Sequence, residues 1–277
     1  MTDNADQIAY WNAASGHKWA EDAEKLDAMM AEMAAVAIAA ASPRAGESVV
    51  DIGCGAGATA VALANAVGPE GRVLGVDVSA PMLEVARARG AGRGPLSFVE
   101  ADAATAHFAA ASADLVFSKF GVMFFVDPEA AFRNIRKVVK PGGRLAFICW
   151  RTLKENPFAT LPMGAALKHL PPQPSPDPNA PGPFAFADPV RVGHILTAAG
   201  FQTPAFAHFD STMTVGRTPA AAAKEAVLVG MASRLLANEP QAMKDQVIAE
   251  LTEIYERHVT PAGVTVPAAC WVVTASA

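Results

Sequence analysis

The stretch VVDIGCGAGATA, residues 49–60, constrains the fold of this chain more than any other part of it. An apolar run reaches an acid and then three glycines at alternate positions, Gly53, Gly55 and Gly57, before an alanine-rich segment begins. Glycine lets the backbone adopt positive φ and approach a ligand closely, and a helix N-terminus offers unpaired N–H groups. The stretch therefore predicts a strand, a tight ligand-binding turn and a helix.

Apolar runs alternate with helical patterns between Glu47 and Trp150, which is typical of βαβ units in a parallel sheet. KPGG, at residues 140–143, is expected to end a helix and turn the chain into a strand. We expect a Rossmann-like, doubly wound α/β fold with a mostly parallel seven-stranded sheet and helical or loop additions that form a substrate cap. The first five strands are predicted in SVVDIG, GRVLGVDV, PLSFVEAD, ADLVFSKF and GGRLAFICW, and helices are predicted to begin near Ala58, Ala80 and Pro128.

Three segments lie outside this alternating core. The first carries Tyr10, Trp11 and Trp19, the second is a proline-dense loop at Lys168–Pro189, and in the third Pro240 opens a helical pattern. The final run VTVPAACWVVTASA predicts a strand that returns to the sheet. The expected organisation is an N-terminal helical lid segment at 1–44, a cofactor-binding core at 45–150, and the rest of the sheet at 151–277 with substrate-cap insertions at about 151–189 and 218–260.

Composition excludes several classes of function. The 277 residues are 52% hydrophobic and 18% charged with a net charge of −5, which predicts a folded chain and disfavours binding to nucleic acid. No apolar run approaches the roughly 20 residues of a membrane span, and MTDNADQIAY lacks the features of a secretory signal. The three scattered cysteines predict neither disulfides nor a zinc site. We expect a cytoplasmic monomer or homodimer that acts on a small molecule.

The glycine turn alone does not identify its ligand. Counted through Ala58 it also fits G-x-G-x-x-A, the dinucleotide fingerprint, and Asp77 after the second strand could accept both ribose hydroxyls of NAD as well as of another adenosine. Asp102, after the third strand, adds an acceptor for the exocyclic amine of adenine. No lysine or arginine occurs between Arg44 and Arg72, so the turn suits a cationic sulfonium better than a pyrophosphate. This combination favours S-adenosylmethionine.

The same stretches resemble class I S-adenosylmethionine-dependent methyltransferases, most closely the group related to ubiquinone/menaquinone C-methyltransferases. The resemblance covers roughly Glu47 to Trp150, and it implies that Gly53 and Gly55 back the methionine moiety and that Asp77 binds the ribose. It further implies that Met82 packs near adenine, that Asp102 and Ala103 read its edge, and that Ser118 and Phe120 line the sulfonium side. The matching stretches are VVDIGCGAGATA, GVDVSAPMLEVARAR, FVEADA, ADLVFSKFGVMFF and VVKPGGRLAFICW.

The full set of expected cofactor-binding residues extends beyond the glycine turn into the N-terminal segment. We expect residues 1 to about 24 to close over the cofactor and exclude water, with Tyr10 or Trp11 bordering the site of methyl transfer. The structural alternative is a segment packed on the far side of the sheet. The expected set is Tyr10, Trp11, Asp51, Gly53, Gly55, Gly57, Asp77, Val78, Met82, Asp102, Ala103, Ser118 and Phe120.

The expected reaction is an in-line methyl transfer to a small, partly apolar molecule. The chain has no Pro-Cys pair and reads SKFG after the fourth strand, unlike enzymes that methylate nucleobases, and no carboxylate and histidine cluster predicts a metal. His17 and His169 are the candidates for a general base, because each lies in a segment that should border the site. Two alternatives remain open, namely an NAD-dependent oxidoreductase and a non-catalytic module that binds S-adenosylmethionine.

Overall fold

The computed structural model describes residues 4–172 and 177–277, so Met1 to Asp3 of the predicted lid and residues 173–176 of the proline-dense loop lie outside the described residues. Within the described ranges, no helix is long and apolar enough to cross a membrane. The chain begins with four helices, α1 (Ala5–Asn12), α2 (Ala14–Glu21), α3 (Ala23–Met29) and α4 (Ala31–Ala41).

Strands and helices then alternate as the sequence predicts. The order is β1 (Ser48–Ile52), α5 (Ala58–Val67), β2 (Arg72–Asp77), α6 (Ala80–Gly90), β3 (Leu96–Glu100), β4 (Ala113–Lys119), α7 (Pro128–Val138) and β5 (Val139–Trp150). After these come α8 (Pro157–Leu167), α9 (Pro189–Ala198), β6 (Gln202–Gly216), α10 (Pro219–Leu228), α11 (Met231–Leu235), α12 (Gln241–Glu256), β7 (Val259–Thr260) and β8 (Gly263–Ser276).

The strands form one sheet in the order β3-β2-β1-β4-β5-β8-β6, with the short β7 paired to β8. Strands β1 to β5 pair in parallel, and β8 returns antiparallel to β5 with Cys270 opposite Trp150. The predicted Rossmann-like fold is confirmed, with β7 added to the seven expected strands. Strand order reverses between β1 and β4, and ligands of such sheets bind outside the carboxyl ends of the strands at this point.

One local expectation needs correction. KPGG does not form a turn ahead of β5, because α7 ends at Val138 and β5 already begins at Val139. The pairing register shifts instead: Ala113 faces Val139, whereas Leu115 faces Arg144. The residues between them bulge out of the strand, and Gly142 accommodates the bulge with φ +77°.

The chain divides into two compact units. The first comprises Met1–Trp150, Asn179–Phe209 and Cys270–Ala277, and the second comprises Arg151–Pro178 and Asp210–Ala269. In the second unit, α12 buries the side chains of Val247, Leu251 and Tyr255. The predicted lid, core and cap segments are defined by their expected roles and not by compactness. The roles of these segments stay a prediction.

A phenylalanine cluster forms the centre of the first unit. The ring of Phe132, on α7, lies 5.9 Å from those of Phe125 and Phe147, 6.0 Å from that of Phe186 and 6.4 Å from that of Phe201. Phe125 and Phe186 are both buried in this cluster, where each packs against the ring of Phe132.

Phe132→Ala should lower the free energy of unfolding by about 3–5 kcal/mol, because it removes the ring that every other member of the cluster contacts. Val190→Ala is a suitable control, since Val190 is 65% exposed in the same unit and its loss should cost within about 0.5 kcal/mol. Urea unfolding of the two variants measures both values. Equal losses would contradict the central role of the cluster.

Candidate functional site

The glycine turn follows β1 at the carboxyl edge of the sheet. The N–H groups of Gly53 and Cys54 both donate to the carbonyl oxygen of Val76, at 2.8 and 3.1 Å, which ties the turn to β2. Gly53, Gly55 and Gly57 have φ values of +66°, +53° and +83°, a region that side chains with a Cβ rarely adopt. The expected strand, turn and helix are therefore present, and α5 begins directly after the third glycine.

The three glycines differ in what surrounds them. A Cβ on Gly53 would lie 2.7 Å from the Cα of Gly121, and one on Gly57 would crowd α6 at 2.9 Å, so these two glycines are needed for packing. Among the described residues, a Cβ on Gly55 would meet only the sulfur of Met82, at an ordinary contact distance of 3.7 Å. Gly55 thus has a bare backbone with a flexible side chain beside it, an arrangement that allows close approach of a ligand.

Asp77 ends β2 with its carboxylate beside the same turn. One oxygen accepts the Gly55 N–H at 2.7 Å and the other accepts the Ser79 N–H at 2.9 Å. Burial raises the pKa of Asp77, while these backbone hydrogen bonds lower it. Each carboxylate oxygen has further lone-pair capacity, so the group can still accept hydroxyl hydrogen bonds from a ribose.

Asp51 lies inside the protein under the turn. Its Oδ2 accepts the Thr59 hydroxyl at 2.7 Å, and its Oδ1 is buried with no hydrogen-bond partner among the described residues. Burial raises the pKa of Asp51 to about 7, against the Thr59 hydrogen bond and the charge of Lys119. The structure therefore places this carboxyl where it supports the first turn of α5, and direct contact with a cofactor stays a prediction.

A group of charges connects α3 with the glycine turn. Arg89 donates to Asp27 at 2.6 Å and to the carbonyl oxygen of Ala56 at 3.0 Å, and the Lys119 ammonium lies 3.6 Å from Asp27. No sequence pattern singles out these residues, because they are distant in the chain and charged residues usually lie on solvated faces. Through these contacts, α3 helps to stabilise the glycine turn.

The expected adenine-binding residues lie at the ends of β2 and β3. The Met82 sulfur faces Gly55, and the Val78 carbonyl oxygen accepts the Asn12 side-chain amide at 2.8 Å. The Asp102 carboxylate accepts the Ala104 N–H at 2.9 Å and so stabilises the turn in which it lies. The carbonyl oxygen of the buried Ala103 accepts the side-chain amide of Asn134 at 3.1 Å. β2 and β3 are adjacent in the sheet, so these residues follow neighbouring strands.

The end of β4 carries a strained aromatic residue. Phe120 has φ +59°, which is unusual for a bulky side chain and is typical of functional sites. Its ring stacks on Trp150 with centroids 4.2 Å apart, and its N–H donates to the Ile148 carbonyl oxygen at 3.0 Å. The buried Ser118 hydroxyl accepts the Gly121 N–H at 3.2 Å. Ser118 therefore stabilises the turn that carries Phe120.

The N-terminal aromatic residues lie at this same edge of the sheet. Trp11 contacts Tyr10, Trp19 and Phe124 edge to face, with centroids 5.2, 5.6 and 5.4 Å apart. Its carbonyl oxygen accepts the hydroxyl of Ser79, which follows β2. These contacts place α1 beside the turns after β2 and β4 rather than on the far side of the sheet. Opening and closing of the segment stays a prediction.

The two candidate bases lie in different surroundings. His17 is exposed on α2. His169, in the second unit, lies 3.3 Å from Glu250, whose pKa is lowered first by a hydrogen bond from Lys168 and also by His169. Among the described residues, then, His169 contacts the Lys168–Glu250 ion pair, and His17 faces solvent. A role as base stays a prediction for both.

The buried carboxyl of Asp51 should make stability fall as pH rises. Its pKa is about 7 in the folded protein against an ordinary 3.8, so the folded state retains a proton that the unfolded chain releases. Between these two pKa values, Asp51 should lower the free energy of unfolding by about 1.4 kcal/mol for each unit of pH increase. Asp51→Asn, which can still accept the Thr59 hydroxyl, should remove that slope. Urea unfolding of both proteins at pH 5, 6 and 7 measures it, and parallel slopes would contradict the prediction.

Comparison with known proteins agrees with this geometry. A family model described as a methyltransferase domain matches residues 50–147. Aklanonic acid methyltransferase DauC of Streptomyces sp. (strain C5) is 37% identical over 47% of this chain and 63% of its own length. Nocamycin O-methyltransferase of Saccharothrix syringae is 31% identical over 65% of this chain and 67% of its own length. The chain thus spans about two-thirds of the length of these relatives.

Solved structures give the same fold. The YcgJ protein of Bacillus subtilis superposes with a TM-score of 0.56 over 88% of this chain and 97% of its own, at 18% identity. The matched family region contains the glycine turn, Asp77, Asp102 and the end of β4. Sequence relatives, fold and site geometry therefore agree that the chain belongs to the class I S-adenosylmethionine-dependent methyltransferases.

Proposed function

We propose that this protein transfers the methyl group of S-adenosylmethionine to a small, partly apolar molecule by in-line displacement. The observation that carries the proposal is the bare backbone of Gly55, whose N–H donates to the Asp77 carboxylate and whose Cβ position faces the Met82 sulfur. Bare backbone suits the methionine moiety, a carboxylate suits the ribose hydroxyls, and a thioether suits the adenine face. A pyrophosphate would instead meet the Asp77 carboxylate, and no lysine or arginine occurs between Arg44 and Arg72 to pair with it.

The chain's part in the reaction is to bind and orient. S-adenosylmethionine supplies an electrophilic methyl carbon on a sulfonium, and the protein must align an acceptor atom with it. The turns after β1 and β4 hold Gly55 and Phe120 in fixed backbone positions through the contact of Gly53 with Gly121. Such alignment can supply an effective molarity on the order of 10⁵–10⁸ M without a strong base. Water is excluded by the aromatic side chains around Trp11.

The apolar character of the acceptor follows from the aromatic residues at this edge. Phe120 stacks on Trp150, and Trp11 contacts Phe124, so two aromatic pairs flank the turn after β4. Aromatic side chains provide large apolar surfaces that bind apolar or planar groups better than anionic ones. The relatives named for aklanonic acid and nocamycin also act on small molecules, which supports the class of acceptor.

All three cysteines are buried thiols, in keeping with a location in the cytoplasm.

Ligand titration separates the proposal from its alternatives. The purified protein should bind S-adenosylhomocysteine more tightly than NADH in calorimetric titrations, because no lysine or arginine occurs between Arg44 and Arg72 to pair with a pyrophosphate. Transfer of labelled methyl to members of a panel of phenols, quinones, amines and thiols should then identify the acceptor class. Tighter binding of NADH would overturn the cofactor assignment. Binding without transfer to any acceptor would favour a non-catalytic module.

Gly55→Ala should weaken cofactor binding while the protein stays folded. Among the described residues the new methyl group meets only Met82, so the fold tolerates it, but it fills the space required by the ligand. Gly46→Ala is a matched control, because Gly46 also has positive φ, +80°, and open space around its Cβ position. Both substitutions should cost about 1 kcal/mol of stability from backbone strain.

The two variants should differ only in affinity. We expect Gly55→Ala to raise the dissociation constant of S-adenosylhomocysteine at least about tenfold, equivalent to about 1.4 kcal/mol, and Gly46→Ala to leave it unchanged. Calorimetry gives the affinities and thermal unfolding gives the stabilities. Equal affinities for the two variants would remove Gly55 from the ligand site.

A further inference from the structure

Asn12, the last residue of α1, uses its whole side-chain amide on backbone groups. Its Nδ2 donates to the carbonyl oxygens of Ile8 at 2.9 Å and Val78 at 2.8 Å, and its Oδ1 accepts the N–H of Ala80 at 2.9 Å. Val78 and Ala80 lie in the turn that joins β2 to α6. A residue 68 positions earlier in the chain therefore binds both sides of this turn.

Ser79, at the centre of the turn, faces back toward α1. Its hydroxyl donates to the Trp11 carbonyl oxygen at 2.7 Å. Gly16, on α2, completes the contact, because a Cβ there would lie 1.8 Å from the Trp11 oxygen and 3.0 Å from the Ser79 hydroxyl. We call this set, Trp11, Asn12, Gly16, Val78, Ser79 and Ala80, the Asn12 clasp.

The clasp changes how α6 is capped. Serine at an N-cap normally accepts an N–H from the first turn of its own helix, and Ser79 occupies that position. In this protein Ser79 makes no side-chain cap hydrogen bond and binds Trp11 instead. The N–H of Ala80, one of those at the helix start without an intrahelical acceptor, is capped by Asn12. The cap of α6 is thus supplied by the N-terminal helices.

The capped turn lies between two residues of the candidate cofactor site. Asp77 precedes it, and one oxygen of its carboxylate accepts the Ser79 N–H. Met82 follows it on the first turn of α6, with its sulfur facing Gly55. Any movement of Val78, Ser79 or Ala80 therefore moves the ribose-binding carboxylate and the adenine-binding thioether together.

We propose that Asn12 is a positioning residue for the adenosine side of the cofactor site, and that cofactor affinity depends on the docked α1 because Asn12 caps α6. The inference rests on the proposed function for the identity of the ligand. It differs from simple anchoring of the N-terminus, since an anchor would contribute to stability and leave the geometry of the turn unchanged.

The test compares Asn12→Ala with Asn65→Ala in the full-length protein. Asn65 is an exposed residue on α5 whose Oδ1 accepts only a long hydrogen bond from Arg93, at 3.3 Å, among the interactions described. Hydrogen exchange of the Ala80 amide in the ligand-free protein reports on the cap without any cofactor. Calorimetry with S-adenosylhomocysteine reports on affinity.

In Asn12→Ala, we expect exchange of the Ala80 amide to accelerate at least about tenfold and the dissociation constant of S-adenosylhomocysteine to rise at least about tenfold, since several hydrogen bonds are lost. Asn65→Ala should match the wild type in both measurements. If Asn12→Ala does not fold, Ser79→Ala removes only the bond to Trp11 and should raise the dissociation constant about threefold.

The proposal for Asn12 is overturned if the dissociation constant of S-adenosylhomocysteine for Asn12→Ala lies within about twofold of the wild-type value, whatever the melting temperature of the variant. Asn12 would then be only an anchor. The proposal is also overturned if exchange of the Ala80 amide is unchanged. Should the wild type not bind S-adenosylhomocysteine at all, the proposed function fails, and the exchange measurement still decides whether Asn12 holds the turn.

Discussion

Close approach of two glycine backbones at the carboxyl edge of the sheet is the constraint on which the site depends. A Cβ on Gly53 would lie 2.7 Å from the Cα of Gly121, and one on Gly121 would lie 2.8 Å from the Cα of Gly53. Because neither residue has a side chain, the turns after β1 and β4 occupy adjacent space. Gly55, which has no side chain, and Phe120, whose backbone is strained, consequently lie at the same carboxyl edge of the sheet, where the strand order reverses.

Buried ionisable side chains lie beneath the glycine turn at this edge of the sheet. Asp51 is fully buried under the glycine turn, and Lys119, at the end of β4, partly offsets the cost of its burial. Burial lowers the pKa of Lys119, and Asp27 opposes that shift. Asp27 also pairs with Arg89, which donates to the turn at Ala56. The pKa values of Asp51 and Lys119 are thus both shifted by burial toward the neutral forms of these two groups.

The N-terminal helices are attached by polar contacts to the elements that carry the candidate site. Asn12 caps α6, Ser79 binds the backbone of Trp11, and Asp27 reaches Arg89 on α6 and Lys119 on β4. Aromatic residues at positions 10, 11 and 19 indicated from the sequence that this segment is ordered. The polar residues that attach it could not be identified in that way, since an asparagine or an aspartate in a helix is usually solvated.

The sequence by itself determined the fold class, the βαβ order and the positions of Gly55 and Asp77, because strand periodicity and glycine spacing are local properties of the chain. Only the tertiary structure decided which glycines of the turn pack closely against neighbouring elements, that Phe125 and Phe186 are core residues, and that α6 takes its cap from Asn12. These features depend on contacts between residues dozens of positions apart. The physical reason is that packing and hydrogen-bond partners are set by the approach of whole elements, which no local pattern encodes.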